Sequence, residues 1–149
     1  MHGLEELKYF QLREVDSIII PRRSIILDAN PHFCNILWWI SEENRVILTP
    51  SDLIVKRENS RIFEITTRSN WHVYVFRMSL RTLPYAIIIS HNESLIETFL
   101  DYCEDRKGLE EKLGHILAME AEGKRESKRK KIMEEVESII SRIIESSQA

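Results

Sequence analysis

Residues 45–66 read RVILTPSDLIVKRENSRIFEIT, three short runs of Val, Ile, Leu and Phe cut by TPSD and by KRENSR. Short β-branched and aromatic runs bounded by turn residues predict strands rather than helices. The same texture extends over residues 5–90. DSIIIPRRSIILD (16–28) holds two β-branched runs broken at Pro21, which cannot donate to a ladder and suits an edge or a bend. DANPHF (28–33) has loop composition, and NILWWI (35–40), short and aromatic, reads as a buried strand. Pro50 fits the second position of a turn between RVILT and DLIVK, and RENS reads as the charged tip of a hairpin that returns through RIFEIT. In WHVYVFRM (71–78) both alternating faces are apolar, which predicts a central strand, and YAIII (85–89) is a further buried run. Seven or eight strands with short connections predict an antiparallel barrel or sandwich rather than βαβ units.

The period changes at residue 90. SHNESLIETF offers two overlapping capping boxes, Ser90 with Glu93 and Ser94 with Glu97, and the chain is expected to be helical from about residue 92. Leu95, Ile96, Phe99, Tyr102 and Cys103 fall on one helical face, and Gly108 supplies a left-handed stop. Leu109, Leu113, Ile116 and Leu117 form a second stripe, Gly123 permits a break, and Ile132, Val136, Ile139, Ile140, Ile143 and Ile144 form a third. The expected organisation is α+β: a β-rich domain with a closing helix over 1–107 and a helical tail over 108–149. The last stripe either folds back to cover the β domain or forms an interface between chains, and the reading adopted is an oligomerising tail. Its a/d spacing is too short for an independent coiled coil.

This order of elements is similar to that of the pleckstrin-homology superfold, the GRAM and bacterial variants in particular, over roughly residues 40–106. RVILTPSDLIVKR resembles the strand, Thr, turn and Leu-Ile-Val strand of those domains, RIFEI the strand that follows, and ESLIETFLDYCEDR the helix that plugs the open end of the barrel. The resemblance implies a scaffold for binding proteins or phospholipid headgroups, usually without catalysis. Arg22–Arg23 is the nearest counterpart of the family's basic headgroup motif.

Composition narrows the function further. Apolar residues make up 43% of the 149, enough for a packed core, and a net charge of −3 with pI near 6.0 argues against a surface built wholly for nucleic acid. Charge is uneven: residues 1–91 carry 11 Lys/Arg against 10 Asp/Glu, while residues 92–149 carry 10 against 14. The Ile-rich, highly charged composition with few Gln, Gly and Pro is a habit of heat-adapted proteins. Cys34 and Cys103 have no metal or redox spacing and are expected to be buried, reduced thiols. With no apolar leader and no run long enough to cross a membrane, a soluble, cytoplasmic protein is expected.

Little in the sequence speaks for catalysis. His2, His32, His72, His91 and His115 lack the spacing of a metal site, and no nucleophile elbow or phosphate-cradling loop is present. Asp52, Glu64 and His72 could converge across strands, as such triples do by chance in any β domain. No enzyme, metal or cofactor is expected. The sharpest charge feature is KRESKRKK (124–131), in which Lys124, Arg125, Lys128, Arg129, Lys130 and Lys131 could meet a polyanion or form the solvated first turns of a helix. The expected function is a protein-interaction or adaptor module that self-associates through its tail as a homo-oligomer. The alternative is a nucleic-acid-associated regulator using residues 124–131.

Overall fold

The computed structural model describes residues 7–25, 33–68, 71–78, 85–90, 98–120 and 126–146. Eight strands and three longer helices follow in the order β1 (Phe10–Val15), β2 (Ser17–Pro21), α1 (Phe33–Glu43), β3 (Arg45–Leu48), β4 (Asp52–Lys56), β5 (Arg61–Thr67), β6 (His72–Arg77), β7 (Tyr85–Ser90), β8 (Thr98–Cys103), α2 (Arg106–Glu120) and α3 (Glu126–Ser146). All strand pairs are antiparallel. They make a large sheet of order β1-β5-β6-β7-β8 and a small sheet of order β2-β4-β3. The class is α+β, as expected, but the sheets do not close into a barrel. A single bridge between Ile25 and Thr98 links the chain after β2 to the far edge strand of the large sheet.

Two runs of chain pass from one sheet into the other. β1 runs straight on into β2, and β4 into β5, so one bent antiparallel pair serves both. Val15 lies opposite Ile62, yet Ser17 lies opposite Lys56, so residues 57–60 are looped out beside Asp16. Such an insertion bends a strand pair and raises its twist. RENS is therefore a bulge at the corner between two sheets and not a hairpin tip: β4 and β5 do not pair with each other. Buried Asn44 fastens the bulge. Its Oδ1 accepts from the Glu58 N–H at 3.1 Å and from Ser60 Oγ at 2.8 Å, while its Nδ2 donates to the Ile40 carbonyl of α1 at 3.2 Å. At the other end of the small sheet the expected turn at Pro50 forms, with the Thr49 N–H donating to the Asp52 carbonyl at 2.9 Å.

Three further expectations change. NILWWI belongs to α1, where Ile36 and Ile40, four apart, are fully buried on one face. Residues 98–103 are strand β8 and not part of a closing helix. The capping boxes fall on residues outside those described, except Ser90, which ends β7. Cys34 is exposed on α1, while Cys103 is buried. Burial pushes the Cys103 thiol up to about 12, so it stays protonated and acts as a small hydrophobe.

Two cores result, one on each face of the large sheet. Phe63, Ile65, Val73, Val75 and Ile87 pack against Leu109, Leu113 and Leu117 of α2 and against the α3 stripe. Ile62, Tyr74, Phe76, Ala86, Ile88 and Leu100 pack against α1 and the inner face of the small sheet. The prediction that β6 is central, with two apolar faces, holds. The N-terminal segment is held to α3 by Glu135, whose carboxylate accepts from the backbone N–H groups of Lys8 and Tyr9, the latter at 2.9 Å.

Candidate functional site

Polar chemistry concentrates at one place on the large sheet. Register puts Arg13 of β1 opposite Glu64 of β5, and Glu64 opposite Tyr74 of β6, on the same face. Arg13 Nε lies 2.6 Å from Glu64 Oε1, and the Tyr74 hydroxyl donates to the same carboxylate. His72, two residues along β6, stacks on Tyr74 with ring centroids 6.4 Å apart. It brings its Nδ1 to 3.5 Å from Glu64 Oε2 without completing a hydrogen bond. The Glu64 side chain is only 8% exposed and that of Arg13 72%, so the guanidinium lies over the carboxylate as a partly solvated cover. Burial first, then the Glu64 charge and hydrogen bond, push the Tyr74 ionisation far up, and the phenol remains a neutral donor.

This arrangement satisfies a buried acid. Two donors engage Glu64, which offsets the cost of burying its charge. Of the triple considered from sequence, the structure joins Glu64 and His72 but leaves Asp52 in the small sheet, where its Oδ2 accepts from Ser51 Oγ at 3.2 Å. Arg13 and Tyr74 were not foreseen. The signal for them was the lone Glu inside RIFEITT, since an acid in a buried run needs partners on the neighbouring strands. Among the described residues, no group of three or more His, Cys, Asp or Glu could hold a metal ion.

The basic segment lies elsewhere, at the start of α3. Lys124 and Arg125 fall outside the described residues and Lys128 is within the first helical turn, while Arg129, Lys130 and Lys131 are exposed. The residues read as an oligomer interface lie on the opposite side of that helix. Ile132, Val136, Ile139, Ile140 and Ile143 are buried in their own chain's core, and Ile144 packs half-buried beside them. Within the chain, α2 and the large sheet already cover the stripe. Of the arginines likened to a headgroup motif, Arg22 donates to the Thr49 carbonyl at 3.2 Å and Arg23 is exposed.

Among the described residues, no element covers the apolar outer face of the small sheet. Its inner residues, Ile18, Ile20, Leu53 and Val55, are buried. The alternate residues point outward, and register aligns Ile19 of β2, Ile54 of β4 and Ile47 of β3 into one row across the three strands. Ile19 is 61% exposed, and Ile54 and Ile47 are half-buried. The row is flanked on one side by Ser17, Lys56 and Arg45 and on the other by Pro21 and Asp52. Trp38 of α1 (56%) and Leu48 at the end of β3 (59%) are exposed as well. Sequence could not single out the row, because in SIIIP three consecutive isoleucines fit either face. Among the described residues, no helix is long and apolar enough to cross a membrane. No protein-family model, curated protein or solved structure matches the chain.

Proposed function

We propose that this chain is a non-enzymatic protein-docking module that works through the outer face of the small sheet. The row Ile19–Ile54–Ile47 carries the proposal: an apolar band across three strands, framed by charge, is the kind of exposed surface that marks an interaction site. The chemistry elsewhere supports the same class. Glu64 is engaged by Arg13 and Tyr74, Tyr74 is held neutral, and the Cys103 thiol is held protonated, so none of these is poised as a base or nucleophile.

The test places a photo-reactive residue at position 19 of the full chain. Discrete protein adducts are expected, and Ile54→Lys should abolish them while leaving the circular dichroism spectrum unchanged. Absence of adducts at 19, with nucleic-acid adducts from the same probe at position 130, would overturn the reading in favour of the alternative. That alternative has its own observation: Arg129, Lys130 and Lys131 are exposed and, among the described residues, form no ion pair. It requires binding to duplex DNA whose log–log salt slope flattens by about 0.9 for each phosphate no longer neutralised once these residues become Gln.

A further inference from the structure

We infer that the outer face of the small sheet is where two copies of this chain meet, about a two-fold axis running along the row Ile19–Ile54–Ile47. The inference rests on the docking reading above and names the occupant of that face. It comes from the order of side chains along β4. Alternation puts Asp52, Ile54 and Lys56 on the outer face, an acid, an apolar residue and a base in succession. That order is complementary to its own reverse.

Where two sheets pack face to face about a two-fold with their strands aligned, the axis lies either close to the strand direction or close to perpendicular to it. An axis along the strands would lay Lys56 on the partner's Lys56 and Asp52 on the partner's Asp52. An axis across the strands, along the isoleucine row, reverses β4 over its copy. Lys56 then faces the partner's Asp52, and Asp52 faces the partner's Lys56, while isoleucine meets isoleucine between them. Like charges so close together are costly, so the charge order selects the second arrangement. The neighbouring residues permit it: the strand partners of Lys56 and Asp52 on β2 are the uncharged Ser17 and Pro21, and Arg45, the partner of Lys56 on β3, is paired with Glu58.

Both charges are available for this role. Arg45 is tied to Glu58 at 3.2 Å, and Arg57 lies 3.5 Å from Asp16 and 3.9 Å from Glu14. Lys56, by contrast, forms no ion pair among the described residues, and Asp52 meets only hydroxyl and backbone partners in its own turn.

The face is small. Three strands of about five residues, spaced about 4.8 Å apart and rising about 3.3 Å per residue, span roughly 250 Å² per copy. A stable interface takes about 800 Å² from each partner. Pairing should therefore be weak and concentration-dependent.

The experiment uses the full chain in sedimentation equilibrium up to about 1 mM, with Asp52→Lys and Lys56→Asp variants alone and mixed in equal amounts. Each variant alone should self-associate at least about ten-fold more weakly than the native chain, because each places like charges opposite each other twice. The mixture should recover dimer, because every pair across a mixed interface is then opposite in sign. A merely structural role for either residue would not be rescued by mixing. The photo-reactive probe at position 19 in the otherwise native chain serves if a variant fails to fold, and there an adduct of twice the monomer mass is expected. A monomer at 1 mM, or association indifferent to both variants, overturns the inference. Adducts at 19 only to other proteins would overturn it while leaving the docking reading intact; no protein adduct at all would remove both.

Discussion

The large and small sheets are joined through one bent pair of strands, yet their surroundings differ. β5 and β6 of the large sheet carry buried apolar residues on both faces, one face under α2 and α3 and the other under α1 and the small sheet. β4 of the small sheet buries Leu53 and Val55 inward and presents Asp52, Ile54 and Lys56 outward. The three longer helices described pack on the large sheet's two faces. That helps to explain why the conspicuous isoleucine stripe of α3 is buried, whereas no described helix covers the less conspicuous row of the small sheet. Apolar content alone does not distinguish core from docking surface. What distinguishes them is whether another element of the same chain covers the residue.

The contrast can be broken most severely by removing the cover. Deleting residues 121–149 strips Ile132, Val136, Ile139, Ile140 and Ile143 from the large sheet. At about 1.5–3 kcal/mol for each buried side chain, the loss is roughly 8–15 kcal/mol, as large as the whole stability of an ordinary domain. The truncated chain should lose its cooperative thermal transition. A sharp transition near that of the full chain would show that the helices are an appendage.

A second break targets the corner. Asn44→Ala leaves the Ser60 hydroxyl and the Glu58 N–H without their acceptor and unties the bulge from α1. Each stranded buried group costs about 1–3 kcal/mol, so urea denaturation should report a loss of about 2–4 kcal/mol. A loss below about 0.5 kcal/mol, on the scale of an ordinary surface substitution, would mean that the strand bend does not depend on this residue.

Smaller still is the ion pair just before the corner. Arg61 bonds Glu14 through Nε at 2.8 Å and Nη2 at 2.5 Å, and this hydrogen bond holds the Glu14 carboxyl below its ordinary value of 4.5. A carboxyl whose folded value is depressed adds stability above its unfolded value and loses it as pH falls through the folded one. Glu14→Gln should therefore cost about 0.5–1 kcal/mol at pH 7, an amount limited by solvent screening, with the difference from the native chain shrinking below about pH 4. A pH-independent difference would assign the effect to packing.

The smallest effect on stability is expected where the apolar row is open. Ile19→Thr should change the unfolding free energy by no more than about 0.5 kcal/mol, because the side chain covers no core. Set against Leu113→Ala on α2, for which about 2–5 kcal/mol is expected, the pair measures the difference between the two surfaces directly. Near-equal losses would mean that the small sheet's outer face is part of the core.

Much of this plan was legible in the residues, and the failures have physical reasons. Short β-branched runs mark the strands from β2 to β7, and alternation marks the two-sided burial of β6, because such runs have few other uses. NILWWI misled because six residues fit both periods, and the buried pair Ile36 and Ile40 looks helical only once Ser41–Glu43 are included. FLDYC misled in the opposite direction. Phe99 and Cys103 share one side of β8 and Leu100 and Tyr102 the other, with Tyr102 meeting the Trp39 ring edge-on at 5.0 Å, yet the same residues also make a plausible helical face. The bulge was invisible because a polar run between two strands reads as a hairpin unless the partner of each strand is known. For the candidate surfaces, sequence supplied the apolar residues, but the choice between Ile139 and Ile19 depends on tertiary cover.

The most direct test is to follow backbone amide shifts of the full chain by NMR from about 20 µM to 1 mM. Shifts that move with concentration should be confined to β2, β3 and β4 and be largest around Ile19, Ile47, Ile54 and Lys56, with α3 unchanged. Concentration-dependent shifts centred on Ile132–Ile144, with the small sheet silent, would contradict the account and return self-association to the tail.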